Sequence, residues 1–154
     1  MANVEALAPY QPNAQGFTEV LIDLKSSFPN QIVTKVTGYN TLCFEDVTQG
    51  DALFSRASDG QVGKAIANDT FDKACVAGVA ETTQSAGQSV KVIVAGIVAT
   101  SGLNAGDQYF LSAASAGAIV ETPPSTAGQF VTRVGEAGST GQFIVNAERP
   151  ILLS

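Results

Sequence analysis

Apolar and polar positions change places along this chain with a period near two, in short runs parted by turn residues. Thr18–Leu24 (TEVLIDL) puts Val20, Ile22 and Leu24 on one face and Glu19 and Asp23 on the other. Ile32–Thr37 (IVTKVT) sets Ile32, Thr34 and Val36 opposite Val33 and Lys35. TLCFE, DALFS, KACVAGVA, VKVIVAGIVA, DQYFLS, GAIVE, QFVTRVG and GQFIVNA also read as strands. Between them stand SDGQVG, TTQSAGQ, LNAGD, PPSTAG and AGSTG, built from the residues that close turns. No long window carries a 3.6-residue apolar period, so no amphipathic helix is expected. Short strands at roughly 8 to 12-residue spacing predict an all-β fold, a small β-barrel or sandwich.

The most apolar run, VKVIVAGIVA, tests whether any segment spans a membrane. A crossing helix needs about 20 apolar residues. This run is half that length and holds Lys91 and Gly96, while Val90, Val92, Ile93, Val94, Ile97 and Val98 favour a strand. The order of elements around it also recurs. GDALF (50–54) precedes SDGQV, KACVAGVAE and AGQSVKVIV, and GDQYF (106–110) precedes SAGAI, QFVTRVGEA and TGQFIVN. Asp51 to Asp107 is an offset of 56, Val79 to Val134 of 55, and Gly87 to Gly141 of 54. The chain thus reads as two related β-units, an internal duplication over about 50–98 and 106–147. The plainer alternative is that any β-protein with glycine turns is somewhat self-similar.

Domain organisation follows. Residues 31–154 form the expected β-domain, and 1–30 an extended N-terminal arm with a first strand. The arm has Pro9, Pro12 and polar residues around scattered apolar anchors, Leu7, Tyr10 and Phe17, and cannot bury much by itself. It is either a disordered leader or an arm ordered by a neighbouring subunit, with those three anchors as partner contacts.

Composition narrows the chemistry. The 154 residues suit one domain. Charged residues are only 14%, against about 25% in typical globular domains. Such a surface, rich in small and polar side chains, suits packing against other protein. The net charge is −6 and no Lys/Arg cluster occurs, so neither nucleic acid nor an anionic membrane is an expected partner. The start of the chain lacks the basic and apolar regions of a secretory signal, which points to synthesis in a reducing cytoplasm. Cys43 and Cys75 sit in apolar runs and are expected to be free thiols.

No histidine is present, which removes the Ser-His-acid and Cys-His systems and His metal sites. Two cysteines without histidine do not make an ordinary structural zinc site, so no metal or cofactor is expected. GQVGK (60–64) has two residues between its glycines and Ala65 after its lysine, so it reads as a β-turn and not a phosphate loop. Glu45 and Asp46, like Asp69 and Asp72, lack the ligand series of a calcium loop. The sequon Asn68-Asp69-Thr70 is read as chance. A catalytic carboxylate pair cannot be singled out among 14 acids. The chain is therefore not expected to be an enzyme, with an acid-dependent glycan hydrolase as the remote alternative.

Two stretches carry a family resemblance. GVAETTQSAGQSVKVIVAGIV resembles the repeating pattern of bacteriophage capsid cement, or decoration, proteins: a Gly-Val-Ala strand, a polar Ala/Gly turn, and an alternating strand ending in Gly-Ile/Val. GLNAGDQYFLSAASAGAIVETPPSTAGQFVTRVGEA is similar to a module of phage virion and tail-fibre proteins. Together they cover about residues 50–150. The resemblance implies a non-catalytic structural protein, made in the host cytoplasm, that binds the outside of a phage capsid and stabilises the shell. It also implies the major capsid protein as partner and a homo-oligomer, a trimer. The alternative within the virion is a head- or tail-fibre, collar or adaptor module.

Overall fold

The structure, a computed structural model, describes residues 36–154. Thr18–Leu24 and most of Ile32–Thr37 lie outside the described residues. The described chain is all-β, as its alternation predicts. In chain order the strands are β1 (Thr37–Leu42), β2 (Ala52–Ser55), β3 (Val62–Lys64), β4 (Gly78–Ala80), β5 (Ser89–Ala99), β6 (Gln108–Leu111), β7 (Ile119–Val120), β8 (Phe130–Val131), β9 (Arg133–Ser139), β10 (Gln142–Asn146) and β11 (Ile151–Leu152). One helical turn, α1 (Phe71–Ala74), sits between β3 and β4.

All strand pairs are antiparallel. The main sheet runs β3-β2-β4-β5-β10-β9-β6-β7, with β1 also on β5, and β11 pairs with β8 separately. The sheet curls until its two ends meet. Ala52 N–H donates to Gly117 O at 2.8 Å, Gly117 N–H to Ala65 O at 2.7 Å, and Ala67 N–H to Ser112 O at 3.0 Å. These bonds satisfy backbone groups flanking β3 and β7 that a flat sheet would leave open.

The structure departs from the expected elements most plainly at three places. GQVGK is not a turn: Val62–Lys64 is β3, and only the residues before it turn back. Val62 and Gly63 are buried, and the strand is too short to show a period. KACVAGVA begins as α1, because Thr70 caps the turn by accepting from Lys73 N at 3.4 Å, and only Gly78–Ala80 is strand. The third departure is β11, whose ILL carries no alternation. It is held only by its backbone pairing with β8.

Strand β5 organises the rest. It is 11 residues long and has three partners: β1 along Ser89–Ala95, β4 at Val92 and Ile93, and β10 along Ala95–Ala99. Thr37 faces Ala95 while Gly38 faces Ile93, so Val94 is an extra, bulged residue. The bulge reverses the alternation. Before it, Val90 and Val92 point into a small apolar cluster; Ile93, and beyond the bulge Val98, point into the larger one.

The small cluster is Cys43, Val47, Leu53, Val62, Ala80, Val90 and Val92. It fills a five-stranded ring, β1-β5-β4-β2-β3, which closes where Cys43 bridges Val62 in parallel. The Cys43 thiol lies inside this ring, with Sγ 3.2 Å from Ser85 O. The larger cluster joins the other face of β2, β4 and β5 to residues of β6, β8, β9 and β10, with Phe143 fully buried and edge-on to Tyr109.

The two ends of the sheet repeat one hydrogen-bonding pattern. Gly50 and Gly106 both have φ near +90°, and their N–H groups donate to Ala80 O and Ala137 O at 2.9 and 2.7 Å. Asp51 N–H donates to Thr48 O, and Asp107 N–H to Asn104 O. Phe54 pairs with Gly63, and Phe110 with Val120. By these pairings Gly78 corresponds to Gly135, so Val79 corresponds to Glu136 and not to Val134, where the sequence offsets place it.

Candidate functional site

The expected contact residues Leu7, Tyr10 and Phe17 lie outside the described residues. Of the acids, Asp69 pairs with Lys73 at 2.8 Å and Asp59 with Arg56 at 2.6 Å, and each pair is exposed. Asp46 accepts from Ala86 N at 2.8 Å, which holds a turn, and Glu45 accepts from Lys64 N of β3 at 3.4 Å. The Arg56 guanidinium holds the Asp59 carboxyl below its ordinary range, and the Lys73 ammonium does so for Asp69. Among the described residues, no group of three or more acids and cysteines is placed to hold a metal ion, and no helix is long and apolar enough to cross a membrane.

Two kinds of surface stand out. The first is apolar strand surface. On β1 and beside it, Val36, Tyr39 and Leu42 are exposed, as is the bulged Val94. On β11, Ile151 is 65% and Leu152 59% exposed. Leu152 pairs with Phe130, whose ring meets the exposed Phe71 edge-on at 5.9 Å. Short strands holding apolar side chains in solvent suit protein contact, since isolated apolar residues are ordinary but contiguous ones usually meet a partner.

The second is an open cleft of about 560 Å³ beside β7. Gly102, Ser112, Ile119 and Val120 line it, and Tyr109 and Glu121 place its polar atoms. Strand β6 directs Tyr109 inward, so only its hydroxyl reaches the cleft. Asn104 N–H donates to that hydroxyl at 2.9 Å, which in turn donates to Glu121 Oε2 at 2.9 Å. Asn104 Nδ2 donates to the same Glu121 oxygen. The Asn104 N–H bond favours the phenolate, but burial and the adjacent Glu121 carboxylate outweigh it and hold the Tyr109 hydroxyl above its ordinary range. Glu121 Oε2 is thereby held in place by two hydrogen bonds. Among the described residues no basic side chain pairs with it.

This arrangement offers binding groups: an exposed carboxylate held by a phenol and an amide. Sequence reading placed Tyr109, Asn104 and Glu121 in two different strands and a turn without linking them. The β6–β7 pairing, which sets Phe110 opposite Val120, brings Tyr109 beside Glu121, and the turn before β6 brings Asn104 to both. No known protein-family model matches the chain, and no curated protein matches it either.

Proposed function

We propose that this protein is a structural component of a phage particle, a decoration protein that binds the outside of the capsid and stabilises the shell without catalysis. The observation that carries the reading is the likeness of residues 50–150 to cement and virion modules. The surface is consistent with it, with few charges and exposed apolar residues on β1 and β11. The partner is the major capsid protein, and the decoration protein acts as a homo-oligomer, a trimer. Several weak copies held together raise avidity by about 10²–10⁴ over one. An acidic protein is also kept off packaged DNA. The N-terminal residues 1–30, with Leu7, Tyr10 and Phe17, serve as the attaching arm. If the arm orders on the shell, that costs about 1–2 kcal/mol per residue, which only multivalent contact offsets.

The test mixes purified full-length protein with expanded capsids that lack it and follows co-sedimentation and capsid melting. The expected result is saturable binding at hundreds of copies per head, raised capsid stability, and loss of binding when residues 1–16 are deleted. Absence of binding, or a handful of copies at a vertex or tail, would instead support the fibre, collar or adaptor reading.

A further inference from the structure

The repeated pattern gives the β7 cleft a meaning that its lining alone does not. In the first half, the ring β1-β5-β4-β2-β3 is closed by the segment Cys43–Glu45. Cys43 bridges Val62, Phe44 N–H donates to Val62 O at 3.0 Å, and Glu45 Oε2 accepts from Lys64 N. The second half has the same strands in the same order: β5 (its C-terminal part)-β10-β9-β6-β7. Leu103, Tyr109, Ile119, Ala137 and Phe143 stand where Val47, Leu53, Val62, Ala80 and Val92 stand in the first half. Thr41, paired with Val90, corresponds to Thr100, whose N–H donates to Gly141 O.

The closing segment is what the second half lacks. Five residues, Leu42–Asp46, separate Thr41 from Val47, but only Ser101 and Gly102 separate Thr100 from Leu103. Three residues are missing, and no strand closes the ring at β7. Val62 is fully buried while its counterpart Ile119 is only partly buried. Among the described residues, no backbone group donates to Ile119 O as Phe44 N donates to Val62 O. The cleft is the place of the missing segment.

We propose that this cleft takes an extended segment of a partner protein, laid parallel to β7, reading small residue, short apolar residue, then Lys or Arg. Each position follows from a difference between the halves. Tyr109 is larger than Leu53 and its hydroxyl reaches the mouth, so the inward residue is small. Phe44 lies so closely on Gly63 that a Cβ there would overlap its ring, and Arg56 stacks on its far side at 4.1 Å. Val120 and Ser112 replace Gly63 and Arg56, which removes the seat of an aromatic ring and leaves room for a short apolar side chain. Glu121 replaces Lys64. A carboxylate on the incoming chain, like Glu45, would meet this anion, whereas a basic side chain would pair with it. Main-chain bonds to an open strand edge supply affinity, and these pockets supply selectivity. The inference goes beyond the capsid reading and does not depend on it.

The test titrates isotope-labelled full-length protein with acetyl-Ser-Val-Arg-amide, followed by amide NMR shifts. Acetyl-Ser-Val-Glu-amide and acetyl-Ser-Phe-Arg-amide serve as comparisons. The expected result is saturable shifts centred on Gly102 and Ile119–Thr122, with binding weakened about tenfold or more for either comparison peptide, as for loss of one charge-assisted contact or of fit. Glu121→Lys should abolish the shifts, and the milder Glu121→Gln should weaken them while the remaining spectrum and the melting temperature stay unchanged. Equal binding of the Glu peptide, shifts scattered over the surface, or no saturable shift would overturn the proposal.

Discussion

Replacing Gly78 or Gly135 by alanine sets two effects of opposite sign against each other. Neither glycine has the positive φ that only glycine tolerates easily, so the contest is steric. Alanine restricts the unfolded chain, which favours folding by about 0.4–1 kcal/mol. Against this, a Cβ at Gly78 would stand 2.5 Å from Ile93 O and 2.6 Å from Val92 Cγ1. At Gly135 it would overlap Ile144 O and lie 2.9 Å from Phe143 Cζ. Both obstacles include the backbone of a paired strand, which cannot turn aside as a side chain can. Forcing an extra methyl into such a place costs about 1–3 kcal/mol. The steric cost is the larger, and each variant should lose up to about 2.6 kcal/mol. Gly138 is the control, since its Cβ would meet only the mobile end of Ile144, Cδ1 at 3.2 Å. Gly138→Ala should be neutral or slightly stabilising. Urea unfolding of the three variants, followed by circular dichroism and fitted with a common slope, gives the comparison. Gly78→Ala or Gly135→Ala unfolding at or above the wild-type midpoint would refute the reasoning, as would Gly138→Ala falling as far as either.

Phe143→Ala removes the largest fully buried side chain and should cost about 3–5 kcal/mol in the same assay; a loss under about 1.5 kcal/mol would mean that the site collapses without a cavity. Burial holds the Asp51 carboxyl above its ordinary range, outweighing the Thr48 N–H and the Lys64 charge, so the folded state keeps this proton to higher pH than the unfolded chain. Ionised Asp51 thus weakens the fold as pH rises from the ordinary aspartate range, near pH 4, through the elevated value. Asp51→Asn, which can still accept from Thr48 N, should gain on the wild type across that rise; a constant difference at all pH values would contradict it. Cys43 and Cys75 are free thiols, and dithiothreitol should leave the melting temperature unchanged. A marked fall under reducing agent would reveal a disulfide.

Alternation made most of this fold legible. TLCFE, DALFS, DQYFLS, GAIVE and GQFIVNA all contain strand residues, with apolar side chains on one face or, in DALFS, on both. What escaped was decided by partners distant in sequence. Val62–Lys64 is strand because Leu53 and Phe54 lie opposite it, and nothing in GQVGK itself says so. Helix α1 rests on one capping threonine, too short a signal for periodicity to register. The repeated pattern at the two ends of the sheet was visible in the sequence at Asp51 and Asp107, which follow the positive-φ glycines Gly50 and Gly106. The sequence offsets held nothing about the cleft, because the three-residue difference lies before Asp107, between Thr100 and Leu103, outside the compared stretches. A binding site made by a missing segment leaves no residue of its own to read.

The sharing of β5 between the two halves bears on how the protein folds and fails. The first half needs Ser89–Ala95 to complete its ring, and the second needs Ala95–Ala99 as its first strand. No cut in the chain yields two self-sufficient halves, so neither can unravel while the other stays intact. Unfolding should be all-or-none across residues 37–146, and hydrogen exchange at the core amides of both halves should converge on one opening free energy. Two halves that repeat one pattern could be lost singly only if each had its own strands; here a single strand serves both.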